Sequence, residues 1–280
     1  AVSNAGGFGI IETSSGEVEN CKNEIMAMAD LTDKPFGVNL PILFLKDESM
    51  IDVVLNAGIK FVTTSAGDPA KYINILKDAG IKVFHAVPNV AGAKKAVDAG
   101  VDGLVVEGTE GGGFKSPEEV GLFVLIQAIR NTTDLPIVAA GGIVDGRGMA
   151  AAFAAGAEGI QMGTRFVSCK ESPVHENFKK YIIDSDEQGT WILNKKGKPC
   201  IRALKTDYTQ PIYESGEMDM SAMMNIQDLY FGGNMNAAPA LSGQSVGLIG
   251  SMKPVKEIIS DTIKEFNEIC SSMSQQAFDE

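Results

Sequence analysis

The sequence predicts an α/β fold of the (β/α)8, or TIM, barrel class, and three observations carry that prediction. First, a helix end in Ala-Gly followed by a short apolar run recurs at AVSNAGGFGII (1–11), VLNAGIKFV (54–62), LKDAGIKVF (76–84), AVDAGVDGLVV (96–106) and AFAAGAEGIQM (152–162). A glycine just past a helix supplies its left-handed cap, so each repeat is the αβ half of a βα unit. Second, the apolar runs do not alternate with polar residues, as expected of parallel strands covered on both faces. Third, the 280 residues match a barrel of about 250 residues with a few tens left for an insertion or tail. An open, doubly wound seven-stranded sheet is the alternative.

The strands are expected at 7–11, 36–40, 60–65, 82–87, 103–107, 136–140 and 159–163. Between them, helices are expected at 17–31, 47–57, 69–79, 89–98, 117–131 and 146–155, with a further one at 172–185. A closed barrel wants eight strands. Because Ala1 to Asn4 look like the last turns of a helix, the seven are read as strands two to eight of a barrel lacking its first strand in this chain. This barrel occupies 1–185. Residues 186–240 read as a smaller segment, with a hairpin in TWILNKKGKPCIRALK (190–205) around a Lys-Lys-Gly-Lys turn and a lid-like stretch after it. Residues 241–280 return as helices at 242–250 and 253–270. The second carries an apolar stripe of Val255, Ile258, Ile259, Ile263 and Phe266 that is suited to docking on the barrel, and the tail from 271 is expected to fray.

Composition narrows the function. A net charge of -12 from 24 basic and 36 acidic residues argues against nucleic acid or an anionic membrane as partner, since both require a basic face. No apolar run reaches the roughly 18 residues of a membrane span and no secretory signal pattern opens the chain. Cys21, Cys169, Cys200 and Cys270 are widely spaced, which suits reduced thiols in a cytoplasmic protein and neither a zinc site nor a disulfide framework. With two histidines in the chain, no multi-histidine metal centre is expected.

Barrel sites are built at the C-terminal ends of strands. Those positions hold Asn39, Thr63 to Gly67, His85 to Pro88, Glu107 to Phe114, Gly141-Gly142 and Gly163-Thr164. The two glycine turns after successive strands let backbone N–H groups approach a phosphate. Three consecutive glycines at 111–113 permit close approach to a flat ligand or form a flexible loop. His85 points either into the mouth or toward the helices, because adjacent strand residues face opposite sides. His175 reads as a surface or helix-packing residue.

PIVAAGGIVDGRGMAAAFAAGAEGIQMGTRFVSCKESPVHENFK (136–179), together with SNAGGFGII, FGVNL, the Thr-Thr-Ser-Ala-Gly run, VVEGTEGGG, the Gly-Lys-Pro hairpin and LSGQSVGLI, resembles the nitronate monooxygenase (2-nitropropane dioxygenase) family. That family includes the FMN-dependent enoyl-acyl-carrier-protein reductases of the FabK type and related flavin quinone reductases. The resemblance implies a TIM barrel that binds FMN. By position, Gly141, Gly142, Gly163 and Thr164 would hold the FMN phosphate and Asn39 the isoalloxazine edge. Gly112 and Gly113 would lie near the ring, with Ser242, Gly243 and Gln244 approaching from the C-terminal side. The family's usual histidine after the glycines is replaced by Phe114, which cannot exchange a proton and instead widens the apolar wall of a substrate pocket. A mechanism that needs a base there must then recruit another group, such as His85 or Glu110, or else be absent. The implied activity is oxidation of alkyl nitronates by O2 on a small-molecule substrate. The alternatives are NAD(P)H-dependent reduction of enoyl thioesters or quinones, and a non-catalytic barrel binding flavin or another phosphorylated ligand. A homodimer is the expected assembly.

Overall fold

The computed structural model describes residues 1–13, 18–45 and 48–276. The expected helix starts at 17 and 47, and the last four residues of the expected tail, lie outside the described residues. In chain order the elements are β1 (Gly9–Glu12), α1 (Val18–Leu31), β2 (Phe36–Pro41), α2 (Ser49–Asn56), β3 (Phe61–Ser65), α3 (Ile73–Asp78), β4 (Lys82–Val87), α4 (Val90–Ala99) and β5 (Gly103–Glu107). They continue with β6 (Gly113–Lys115), α5 (Leu122–Arg130), β7 (Ile137–Ala140), α6 (Gly146–Ala154), β8 (Gly159–Gln161), α7 (Thr164–Val167), α8 (Glu176–Ile183), β9 (Thr190–Leu193), β10 (Cys200–Leu204), α9 (Thr209–Ser215), α10 (Ile226–Tyr230) and α11 (Val255–Gln275).

Seven strands form one parallel sheet in the order β1-β2-β3-β4-β5-β7-β8, and the α/β alternation is that of a TIM barrel. Register assigns the two faces. Val38 pairs with Val62, Leu40 with Thr64, His85 with Leu104, Val87 with Val106 and Val106 with Ala139. This outward set is buried with Ile25, Met50, Val54, Leu76, Ala93, Ala96, Leu125, Ile126 and Ile129 of the helices, forming the main core. The opposite face is inward. Its lower part is apolar, with Phe61 packed on Phe8 (5.0 Å) and Phe84 (5.0 Å). Its upper part, at the C-terminal ends, presents Glu12, Asn39, Thr63, Ser65, Glu107 and Gln161.

A second sheet, β6-β10-β9, is antiparallel. The expected hairpin is present as β9 and β10, and Gly113, the last residue of the glycine run, opens a third strand that pairs through Phe114↔Ile201 and Gly113↔Arg202. The 186–240 segment is therefore joined to the β5–α5 connection of the barrel by backbone hydrogen bonds. Around β10 and α8 a second core forms from Phe178, Ile182, Leu204, Leu229 and Val246.

Three expectations at the ends are corrected. Residues 3–5 form a 3-10 turn closed by Gly6 at φ 91 rather than the end of an α-helix. The helix expected at 242–250 is a 3-10 turn over Gln244–Leu248. The helix expected to end at 270 runs to Gln275 and is capped by Glu171, whose carboxylate accepts the Val255 N–H at 2.9 Å. This α11 packs on α6 through Phe266 on Phe153 (5.2 Å) and through the Glu265 carboxylate, which accepts the Gly146 N–H at 2.9 Å. Ile263, placed on the docking stripe by its spacing, is 45% exposed.

Candidate active site

The C-terminal end of the parallel sheet gathers four sequence-distant segments. Gly141 at φ 95 and Gly142 at φ 77 turn the chain sharply after β7. A Cβ on Gly141 would lie 2.9 Å from the Gly111 nitrogen, so this turn abuts the β5–β6 loop. A Cβ on Gly112 would in turn lie 2.6 Å from the Ser242 carbonyl carbon and 2.7 Å from the Gly243 nitrogen. Only glycine permits that closeness without backbone displacement. The Thr164 hydroxyl accepts the Gly243 N–H at 2.9 Å, and the Gln244 N–H donates to the Glu110 carbonyl at 2.8 Å. Thus Gly112, Gly113, Gly141, Gly142, Thr164 and the 242–244 backbone share one place. Gly163 borders open space, since a Cβ there would meet nothing within 4 Å. The Gln244 side chain is exposed.

Two buried side-chain oxygens among the described residues have no hydrogen-bond partner: Ser242 Oγ and Thr109 Oγ1. A buried hydroxyl left unpaired costs about 1–3 kcal/mol. Both sit on the segments that converge here, and Ser242 is 1% exposed. Orphaned hydroxyls beside glycine backbone suit a ligand rich in anionic or carbonyl oxygen.

On the other wall of the mouth, Asn39 is held by its neighbours. Its Nδ2 donates to Glu12 Oε2 at 2.8 Å, and its Oδ1 accepts from Thr63 Oγ1 at 2.9 Å. The register that pairs Glu12 with Asn39 and Asn39 with Thr63 places all three inward on adjacent strands. The Tyr230 phenol on α10 is pushed above its usual range, first by burial and then by the Glu12 charge. This sets the expected lid-like stretch near the end of β1.

Phe114 on β6 stacks on Phe44, which follows β2, with ring centroids 4.6 Å apart and planes 22° from parallel. Beside it Lys115, with a side chain 3% exposed, is paired with Glu107 at the end of β5. Arg202 on β10 fixes this loop from behind: its Nε donates to the Thr109 carbonyl at 2.8 Å and its Nη1 to Thr190 Oγ1 at 3.0 Å.

Neither substitute base faces the mouth. His85 lies outward, 5% exposed, with Nδ1 2.7 Å from Thr64 Oγ1. Burial lowers its pKa to about 4, an effect that Asp68 opposes and Lys95 reinforces. It is a neutral core imidazole. Glu110 caps α5, each carboxylate oxygen accepting the Leu122 N–H at 3.0 Å. Phe44, Glu12, Lys115, Arg202 and Tyr230 went unselected from the sequence. Register alone could have flagged Glu12, one strand over from Asn39, whereas the others reach the site through tertiary contacts.

The family model described as nitronate monooxygenase matches residues 43–265. The solved structure of FabK from Thermotoga maritima superposes with a TM-score of 0.94 at 37% identity, covering 99% of this chain and 90% of that one. A probable nitronate monooxygenase of Staphylococcus saprophyticus is 28% identical over 96% of this chain and 90% of its own length. A Rhodococcus jostii protein named as a (3aS,4S,5R,7aS)-5-hydroxy-7a-methyl-1-oxo-octahydro-1H-indene-4-carboxyl-CoA dehydrogenase is 35% identical over 77% of this chain. The chain spans 60% of that relative's length. No helix among the described residues is long and apolar enough to cross a membrane.

Proposed function

Since the chain belongs to the nitronate monooxygenase family, we propose that it is an oxidoreductase that holds FMN at the C-terminal end of its parallel sheet and oxidises alkyl nitronates. The observation that carries the cofactor is the convergence of Gly112, Gly141-Gly142, Thr164 and Ser242 to Gln244, with the Ser242 hydroxyl buried and unpaired. These residues fit FMN. The glycine turns and Thr164 would hold the phosphate, Ser242 and Gly112 would lie against the ring system, and Asn39 would meet its edge. When bound, FMN supplies the two-electron chemistry, while the protein positions and tunes it.

The chain's own part in nitronate oxidation is binding and orientation. A nitronate is already deprotonated, so it needs no base where Phe114 stands. The Asn39 amide, fixed by Glu12 and Thr63, offers a rigid polar contact. Phe114 and Phe44, stacked at 4.6 Å, would give the rim an apolar wall. A cytoplasmic location goes with this reading, supported by four free cysteines, three of them buried.

A second reading is favoured by one observation: identity is higher to FabK (37%) and to the CoA-ester dehydrogenase (35%) than to the staphylococcal relative (28%). Here NAD(P)H would deliver electrons through the flavin to an enoyl thioester or quinone. Purified protein with a flavin absorbance band supports both readings, and colourless protein that cannot be reconstituted with FMN overturns both. Anaerobic mixing then separates them. Bleaching by a nitronate but not by NADH or NADPH supports the monooxygenase; rapid bleaching by a nicotinamide supports the reductase.

A further inference from the structure

Away from the glycine turns, the start of α8 carries a histidine that the proposed chemistry does not use. His175 is the half-buried N-cap of α8, and its Nδ1 accepts the Asn177 N–H at 3.1 Å. A ring that accepts through Nδ1 is neutral and carries its proton on Nε2. The same residue pins the lid-like stretch. The His175 N–H donates to the Tyr230 carbonyl at 2.7 Å, and the Asn177 side-chain amide donates to the Gly233 carbonyl at 2.9 Å. Gly233 sits at φ 73, and a Cβ there would overlap the His175 ring, so the imidazole rests directly on glycine backbone. Beside it the Tyr230 ring packs on Phe178 of α8, with centroids 5.2 Å apart. The Tyr230 phenol also feels the charge of Glu12 at the end of β1. One capping imidazole thus joins the first turn of α8 to residues 226–234.

We infer that His175 is a pH-sensitive latch: a proton taken up at Nδ1 removes the cap of α8 and releases the 226–234 stretch from that helix. An imidazolium has no lone pair left for the Asn177 N–H. It also places positive charge at a helix N-terminus, where the macrodipole opposes it. The carboxylates around the ring are already engaged. On α8, Glu176 pairs with Lys179 at 3.0 Å, and ahead of α8, Glu171 accepts the Val255 N–H. On the facing stretch, Asp228 accepts the Asn234 side-chain amide at 2.9 Å, and on β1, Glu12 accepts that of Asn39. The latch is a property of the protein alone and does not depend on the flavin reading.

The test is hydrogen–deuterium exchange of the purified protein at pH 7.5 and 5.5, corrected for the intrinsic pH dependence of exchange. That interval spans ordinary imidazole titration and leaves ordinary carboxylates ionised. The chain has two histidines, so a His85→Gln background leaves His175 as its one imidazole. In that background the amides of 176–178 and 226–234 are expected to exchange about fivefold faster at pH 5.5, the factor equivalent to ~1 kcal/mol for a lost cap. Amides of α2 and α4 stay unchanged. His175→Asn keeps a side-chain acceptor that does not titrate and is expected to abolish the difference. His175→Ser, a capping residue of another shape, does the same and serves where the asparagine variant does not fold. Three results overturn the proposal: no acceleration at pH 5.5, acceleration spread evenly over the chain, or a local acceleration that persists in either folded His175 variant.

Discussion

The Thr164 hydroxyl accepts the Gly243 backbone N–H at 2.9 Å, tying the turn after β8 to a segment that returns from beyond the small sheet. This bond brings two of the proposed cofactor segments into register. Thr164→Val keeps the shape and removes the acceptor, so it is expected to weaken FMN binding about tenfold, since one hydrogen bond contributes about 1 kcal/mol and its loss strands a donor. Quenching of free FMN fluorescence on titration with apoprotein measures this.

Gly112 touches the Ser242 and Gly243 backbone at distances a side chain cannot share. Gly112→Ala must push those segments apart, at about 1–3 kcal/mol for a forced overlap. The expected result is a lower urea midpoint and reduced flavin content. Unchanged flavin content would show that this contact does not shape the cofactor site.

His85 makes stability depend on pH. Folded, it stays neutral down to about 4 because burial disfavours its charge, whereas the unfolded chain takes up a proton below the ordinary 6.5. The native state is therefore fully favoured above 6.5 and loses stability as pH falls from 6.5 to 4, by up to about 3 kcal/mol. Urea melts at several pH values should show this slope, and His85→Gln should flatten it. Activity in His85→Gln should persist wherever the protein is folded, because the ring faces the helices.

Arg202, 6% exposed, holds the Thr109 carbonyl and the Thr190 hydroxyl. Arg202→Leu leaves both acceptors buried and is expected to cost about 3 kcal/mol. The β5–β6 loop should loosen with it. Thermal melting reports the first effect, and faster proteolysis between β5 and α5 reports the second.

Phe114→His restores a proton acceptor at the mouth. Turnover of neutral nitroalkanes should rise relative to that of nitronates and gain a pH dependence near the histidine pKa of about 6.5. A flat pH profile would place position 114 away from the reacting group.

The βα order, the glycine-capped helices and the turns after β7 and β8 were legible in the sequence because each is a local pattern of a few residues. β4 and β5 match their expected bounds of 82–87 and 103–107. The resemblance carried by residues 136–179 agreed with the family match. What local pattern leaves open is which side of a strand is inside. Period-two alternation offers His85 two faces with equal backbone cost, and the register with Leu104 chose the helix side. Only the folded chain decided that Gly113 to Lys115 form a strand, since their partner β10 lies far along the sequence. The same holds for Phe44 meeting Phe114 and for Glu107 pairing with Lys115. Local propensity sets elements and their order; long-range packing sets which side chains meet at the mouth.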